Sequence, residues 1–185
     1  MLALALGAAA CGNQRAEPPN LARLGKPGDE QRFEALDHSV SFRYPGSWVA
    51  SGAQPPTVAS LGSGSALAAI YAYPRRDLST DPAGVESARK RIIASLQERD
   101  PGFLIAGTRI LTIDGSPAVE VRGRGAIAGK PVRTRSVHVY KDSVEWVVDA
   151  YATPARFAAA NRIAFGPMLA SIHLANRLER TSSEG

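Results

Sequence analysis

An α+β fold, an antiparallel sheet covered by helices, is what this sequence predicts. The prediction starts from short runs in which apolar and polar residues alternate, as strands with one buried face require. It continues with two longer segments whose apolar residues recur at helical spacing, each behind a capping residue and a proline. The elements follow one another as strands, helix, strands, helix, which is the α+β order and not the strand–helix alternation of a parallel sheet. A chain of 185 residues with 44% hydrophobic content has the size for one domain with its own core.

Phe33 and Ala35, then Val40, Phe42 and Tyr44, alternate with polar neighbours around an Asp37-His38-Ser39 turn, so the first two strands form a hairpin that Pro45-Gly46 ends. Ser51 to Pro56 reads as a loop. Thr57 to Leu61 and Ala66 to Tyr73 read as two more strands about the Gly62-Ser63-Gly64-Ser65 turn. Thr80 or Asp81 caps a helix with Pro82 in its first turn, and Val85, Ala88, Ile92 and Leu96 form its core-facing stripe. Arg89, Lys90 and Arg91 fall on or beside the opposite face, Glu86 stands four residues before Lys90, and the helix stops before Pro101. Phe103 to Ile113, Ala118 to Arg124, Pro131 to Tyr140 and Val144 to Ala152 then form a meander with turns at Asp114-Gly115, Gly125 to Lys130 and Lys141-Asp142-Ser143. The last helix opens at Thr153-Pro154 and buries Phe157, Ala160, Ala164, Met168 and Ile172, with Gly166-Pro167 expected to kink or divide it.

The start of the chain speaks to location. Met1 to Ala10 is apolar and uncharged, and too short for a membrane-spanning helix of about 20 residues. It resembles the end of a signal peptide, and the small residues before Cys11, with Gly12 after it, resemble a lipobox, where the thiol is the nucleophile that takes the lipid. Ala8 stands where lipoboxes usually carry Leu, and the positive n-region is missing, which a start codon assigned too far downstream explains. Cys11 is the sole cysteine, so intrachain disulfides, cysteine zinc sites and CxxC chemistry are excluded. The expected organisation is a truncated signal peptide over 1–11, a flexible tether over 12–31, the folded domain over 32–175 and a disordered polar tail over 176–185. The expected location is extracytoplasmic, lipid-anchored to a bacterial cell membrane. The net charge of +5 favours anionic surroundings without naming a partner.

His38-Ser39-Val40-Ser41-Phe42-Arg43-Tyr44-Pro45-Gly46-Ser47-Trp48 resembles the opening of PsbP-like domains, where a strand of alternating small and aromatic residues runs into Tyr-Pro, a short gap and Trp. Met168-Leu169-Ala170-Ser171-Ile172 resembles their closing helix, and the likeness extends from Arg32 to Leu174. The resemblance implies an α/β/α sandwich with a central antiparallel sheet, shared by photosystem-associated PsbP proteins, Ran-binding Mog proteins and LpqN-type bacterial lipoproteins. With the lipobox, the last group is the nearest in kind. These relatives share no catalytic constellation, so the resemblance carries over no site residue, and fold alone fixes no function.

A search for chemistry in the residues themselves excludes more than it finds. His38, His138 and His173 lack metal-binding spacing, and Gly62-Ser63-Gly64-Ser65-Ala66 departs from a nucleophile elbow. Gly123 to Gly129 reads as a flexible hairpin turn and not a dinucleotide loop, and Gly129-Lys130-Pro131 lacks the Ser or Thr of a phosphate loop, so no cofactor is expected. Glu145 and Asp149 share a strand face, with Glu120 placed near them; an acidic pair of glycosidase type is one reading, and solvated carboxylates answering Arg133 or Arg135 the commoner one. Trp48 and Trp146 read as core anchors. Arg122, Arg124, Lys130, Arg133 and Arg135 crowd one hairpin, either as a charged solvent face that deters edge pairing or as a contact for an anionic surface. No aromatic residues interleave with them, so nucleic acid is not an expected partner. The function expected is that of a monomeric, non-enzymatic envelope lipoprotein, a protein-interaction or assembly module. A binding module for a small or lipidic ligand and an envelope hydrolase are the alternatives.

Overall fold

The computed structural model describes residues 28–77 and 79–175. Residues 1–11 with Cys11, most of the expected tether, and the tail from 176 lie outside the described residues.

The first hairpin forms as its alternation requires. β1 (Glu30–Glu34) and β2 (Val40–Pro45) pair antiparallel, and Asp37 Oδ1 accepts from the Ser39 amide at 3.0 Å to close the connection. β1 begins two residues ahead of Arg32, where the fold was expected to start. A two-residue strand, β10 (His173–Leu174), takes the other side of β2, giving a small sheet in the order β1-β2-β10. The main sheet has seven strands: β3 (Val49–Gly52), β4 (Thr57–Ser63), β5 (Ala66–Pro74), β6 (Leu104–Ile113), β7 (Ser116–Ile127), β8 (Lys130–Lys141) and β9 (Val144–Ala152). Their order is β3-β4-β5-β9-β8-β7-β6 and every neighbouring pair is antiparallel.

One face of this sheet carries α1 (Pro82–Arg99), whose N-cap Asp81 accepts from the Gly84 amide at 2.8 Å. The expected stripe is the one that packs: Val85 and Ala88 are buried on Val119, Val121 and Tyr140, with Ile92 and Leu96 partly buried beside them. The other face carries α2 (Pro154–Ala160), a π-helical turn (Asn161–Phe165) and α3 (Gly166–Ser171). The larger core lies here, where Phe42, Val137, Trp146, Val148 and Met168 meet and Trp48 stands edge-on to Phe165 at 5.5 Å between ring centroids. Both tryptophans are buried, as core anchors must be. The molecule is therefore an α/β/α arrangement about an antiparallel sheet. Asp114 ties the small sheet to the large one, accepting from Lys141 Nζ at 2.7 Å and from the Leu174 amide at 2.8 Å.

The structure corrects two readings and gives the detail of a third, the division of the last helix at Gly166-Pro167. Part of the expected 51–56 loop is strand: β3 runs through Ser51 and Gly52, held by β4, and Ser51 Oγ meets Ser60 Oγ at 2.9 Å. The break in the last helix is a π turn just before Gly166-Pro167. The Gly166 amide reaches back to the Asn161 carbonyl, and a Cβ on Gly166 would lie 2.8 Å from that oxygen, so the wider turn needs glycine here. The glycine-rich stretch is not a flexible turn. Gly123 and Gly125 lie within β7, and the turn is Ala128-Gly129 alone, with φ of 50° and 73°. A Cβ on Gly123 would stand 2.3 Å from Phe103 Cζ; these glycines make room for a ring that lies across the strand.

Candidate anion-binding face

The tight turns set the registers that build the site. Counting back from Ala128-Gly129 puts Arg122 opposite Arg135 and Arg124 opposite Arg133, and counting back from Asp114-Gly115 puts Arg109 opposite Glu120. Residues opposite one another in an antiparallel pair share a face, so all five arginines and Glu120 lie on the α2 side of the sheet. There α2 packs over β5, β9 and β8. Lys130 belongs to the opposite parity and stands at the hairpin tip, apart from the arginines.

Like charges directly opposite one another repel, and Glu120 is what lets Arg122 face Arg135. Its side chain is 1% exposed; it accepts from Arg109 Nε at 2.8 Å and Nη2 at 3.2 Å and from Arg135 Nε at 2.6 Å, and it forms an ion pair with Arg122 Nε at 2.7 Å. Arg135 also donates from Nη1 to Asn161 Oδ1 of the π turn at 3.0 Å. With its side chain only 9% exposed, Arg135 is no solvent-face residue, which corrects the bland reading of the patch at this position. Burial alone raises the Glu120 carboxyl, but the hydrogen bond from Arg109 and the charges of Arg135 and Arg122 outweigh it and hold the group below the usual carboxylate range.

Arg124 and Arg133 differ from these three. Both are exposed, and neither has a hydrogen-bond or ion-pair partner among the described residues. They border two adjoining hollows of about 410 and 480 Å³, which also share Leu104 and are walled by Phe157 in one case and by Pro154 in the other. The result is an apolar trough along the end of the sheet with guanidinium groups beside it. Sequence reasoning missed Arg109 and Asn161. Arg109 could have been found by counting register from Asp114-Gly115, but Asn161 could not, because it arrives from a helix.

The carboxylates Glu145 and Asp149 do share a face, and it is the other one. Arg133 and Arg135 pair with Ala152 and Ala150, so they cannot answer these acids, and Glu120 is not near them either. Glu145 instead accepts from Arg75 Nε at 2.8 Å and meets His138 Nδ1 at 2.8 Å, and Asp149 accepts from Ser136 Oγ at 2.5 Å. Burial raises Glu145, and the hydrogen bonds of His138 and Arg75 lower it by more. Ser136 Oγ also lies 3.2 Å from His138 Nε2, so Ser136, His138 and Glu145 stand in the order of a hydrolytic triad. Ser136 sits inside β8 between β7 and β9, where the backbone amides serve the ladder and none is left for an oxyanion, and its hydroxyl proton is directed at Asp149.

No family model and no curated protein matches the sequence. Among solved structures, the solution structure of cyanobacterial PsbP (CyanoP) from Synechocystis sp. PCC 6803 superposes with a TM-score of 0.58 over 79% of this chain and 92% of that one, at 11% identity. The fold is PsbP-like. The yeast Saccharomyces cerevisiae Ran-binding protein Mog1p agrees, with a TM-score of 0.55 over 79% of this chain and 95% of that one, at 9% identity. LpqN of Mycobacterium tuberculosis, whose structure is described as involved in cell envelope biogenesis, matches over 82% of this chain and 87% of its own at 15% identity, but its TM-score of 0.41 carries no argument. At these identities the PsbP-like likeness is one of fold, and none of the arginines is assigned a role by it. Among the described residues no helix is long and apolar enough to cross a membrane.

Proposed function

We propose that this protein is a non-enzymatic interaction module, held outside the cytoplasmic membrane of a bacterium by lipid on Cys11, and that its arginine face docks an acidic surface of an envelope protein. The observation that carries the reading is the pairing of Arg124 with Arg133, two exposed guanidinium groups without partners among the described residues, beside three more that one buried glutamate fixes in place. Burying a carboxylate is costly unless it is fully paired, and this one holds its arginines in a set geometry, the preorganisation that carboxylate recognition by guanidinium exploits. The fold admits protein binding, as the Ran-binding Mog1p illustrates. For the anchor, the support is the lipobox-like stretch ending in Cys11.

Fractionation and crosslinked capture from the native envelope test both parts. Wild-type protein, expressed behind a complete export signal, partitions into detergent and captures an acidic envelope protein. Cys11→Ser loses the partition, and Arg124→Glu/Arg133→Glu keeps the partition and loses the capture. A Cys11→Ser protein equally bound to membrane sinks the anchor, and capture unchanged in the double variant sinks the docking face.

The trough supports a second reading, a binding module for a small or lipidic ligand. Its walls of Leu104, Phe157 and Pro154 suit an acyl chain and its arginines the anionic end. A long-chain carboxylate would then bind wild type and bind Arg124→Glu/Arg133→Glu more weakly, and equal affinity for the two removes this reading.

A further inference from the structure

β6 ends the main sheet, and no strand pairs with its outer edge among the described residues. The opposite edge is β3, four residues long, whereas β6 runs for ten. Proteins blunt sheet edges by shortness, lysine, proline or bulges. β6 contains neither lysine nor proline, and its one irregularity, between Ile105 and Gly107, leaves 107–113 in unbroken register with β7.

The turn fixes which backbone groups look outward. Asp114 and Gly115, with φ of 47° and 74°, make a two-residue hairpin, whose closing pair Ile113 and Ser116 exchanges both backbone bonds. By alternation Leu111 and Arg109 also bond inward, and Thr112, Ile110 and Thr108 turn their N–H and C=O to the open edge. Pro117, which has no N–H, stands opposite Thr112, as a pair that exchanges no bonds allows.

These groups are a template for strand addition, and the side chains beside them define what is added. On the α1 side the edge shows Ile110, 49% exposed. On the other it shows Arg109, with Arg122 on the next strand and both tied to a single glutamate, followed by Leu111, which is partly buried against the larger core. We propose that the β6 edge accepts an extended segment of a partner protein in which carboxylate and apolar residues alternate, the carboxylates lying on the side of Arg109 and the apolar residues beside Ile110. The inference rests on the interaction-module reading and gives it a binding mode. A second copy of this chain is a poorer occupant, because pairing β6 with β6 in register of alternation would join two faces of five arginines and one glutamate each into one.

The test uses the full chain with Cys11→Ser and a capped peptide of about eight residues alternating glutamate and valine, a usual strand length, with a lysine–valine peptide as its counterpart. Titration and amide exchange by NMR are the readouts. The glutamate peptide binds and slows exchange at Thr108, Ile110 and Thr112, and the lysine peptide does neither. Ile110→Pro removes only an outward N–H, which an edge strand tolerates, and weakens binding by about tenfold or more; Thr112→Pro provides the same block at a second position should the first variant unfold. The proposal is overturned if the glutamate peptide does not bind, if the lysine peptide binds as well, or if folded proline variants bind like wild type. Protection of the same amides by concentration alone, without peptide, overturns it in favour of a second copy. Binding that leaves the β6 amides unprotected and is lost in Arg124→Glu/Arg133→Glu overturns the edge and leaves the docking face standing.

Discussion

Glu120 decides what the arginine face is. Three guanidinium groups converge on it, and removing one partner of a buried pair leaves the others unpaired in the protein. Glu120→Gln is therefore expected to cost about 3 to 5 kcal/mol, and Arg135→Ser a comparable amount, while Arg133→Ser, exposed and without partners among the described residues, shifts stability by less than about 0.5 kcal/mol. The pH dependence follows from the depressed carboxyl. An unfolded glutamate titrates near 4.5, and the folded one titrates lower, so its contribution is complete above 4.5 and is lost as pH falls through the folded value. Urea unfolding from neutral pH down past 4.5 measures this: wild type loses stability on the acid side more steeply than Glu120→Gln. Glu145 is depressed from the same 4.5 and Asp114 from 3.8, and both are common to the two proteins, so the difference between them isolates Glu120. Equal acid slopes would contradict the pairing. At this scale the sequence shows Arg133 and Arg135 on one side of a strand but not their depth. Depth depends on Glu120 from β7 and Asn161 from a helix, neither of which alternation within β8 can reveal.

At the scale of elements, legibility followed the strength of local patterns. The strand from Val144 to Ala152 and the helix capped by Asp81 stand where alternation and capping place them, because both patterns are set by neighbours in sequence. β3 was hidden because a four-residue strand owes its existence to β4. The Gly125 to Lys130 turn shrank to Ala128-Gly129 because Ala128, not a glycine, takes the first left-handed position. The neighbouring glycines answer to Phe103, a contact between strands that turn chemistry does not encode. The three two-residue turns matter most for function. Asp114-Gly115, Ala128-Gly129 and Asp142-Ser143 set the registers that stack the arginines on one face and the Ser136, His138 and Glu145 line on the other.

The whole molecule puts its two cores on opposite faces of one sheet and places its arginines where the helical cover of the larger core gives out. That leaves a rigid sheet surface with a fixed charge pattern, bordered by an apolar trough and an open strand edge. The fold is legible as PsbP-like, and the function is argued from this surface and not from the fold. The most direct test of that claim is titration calorimetry of poly-L-glutamate into the full chain carrying Cys11→Ser, at low and at moderate salt, beside the same chain with Arg124→Glu/Arg133→Glu. The account predicts binding that weakens as salt screens exposed charges over about 10 Å at 0.1 M, and that falls by about tenfold or more in the double variant, since each basic side chain at a charged surface is worth about 1 kcal/mol. Equal, salt-insensitive binding by the two proteins, or no binding by either, would contradict it.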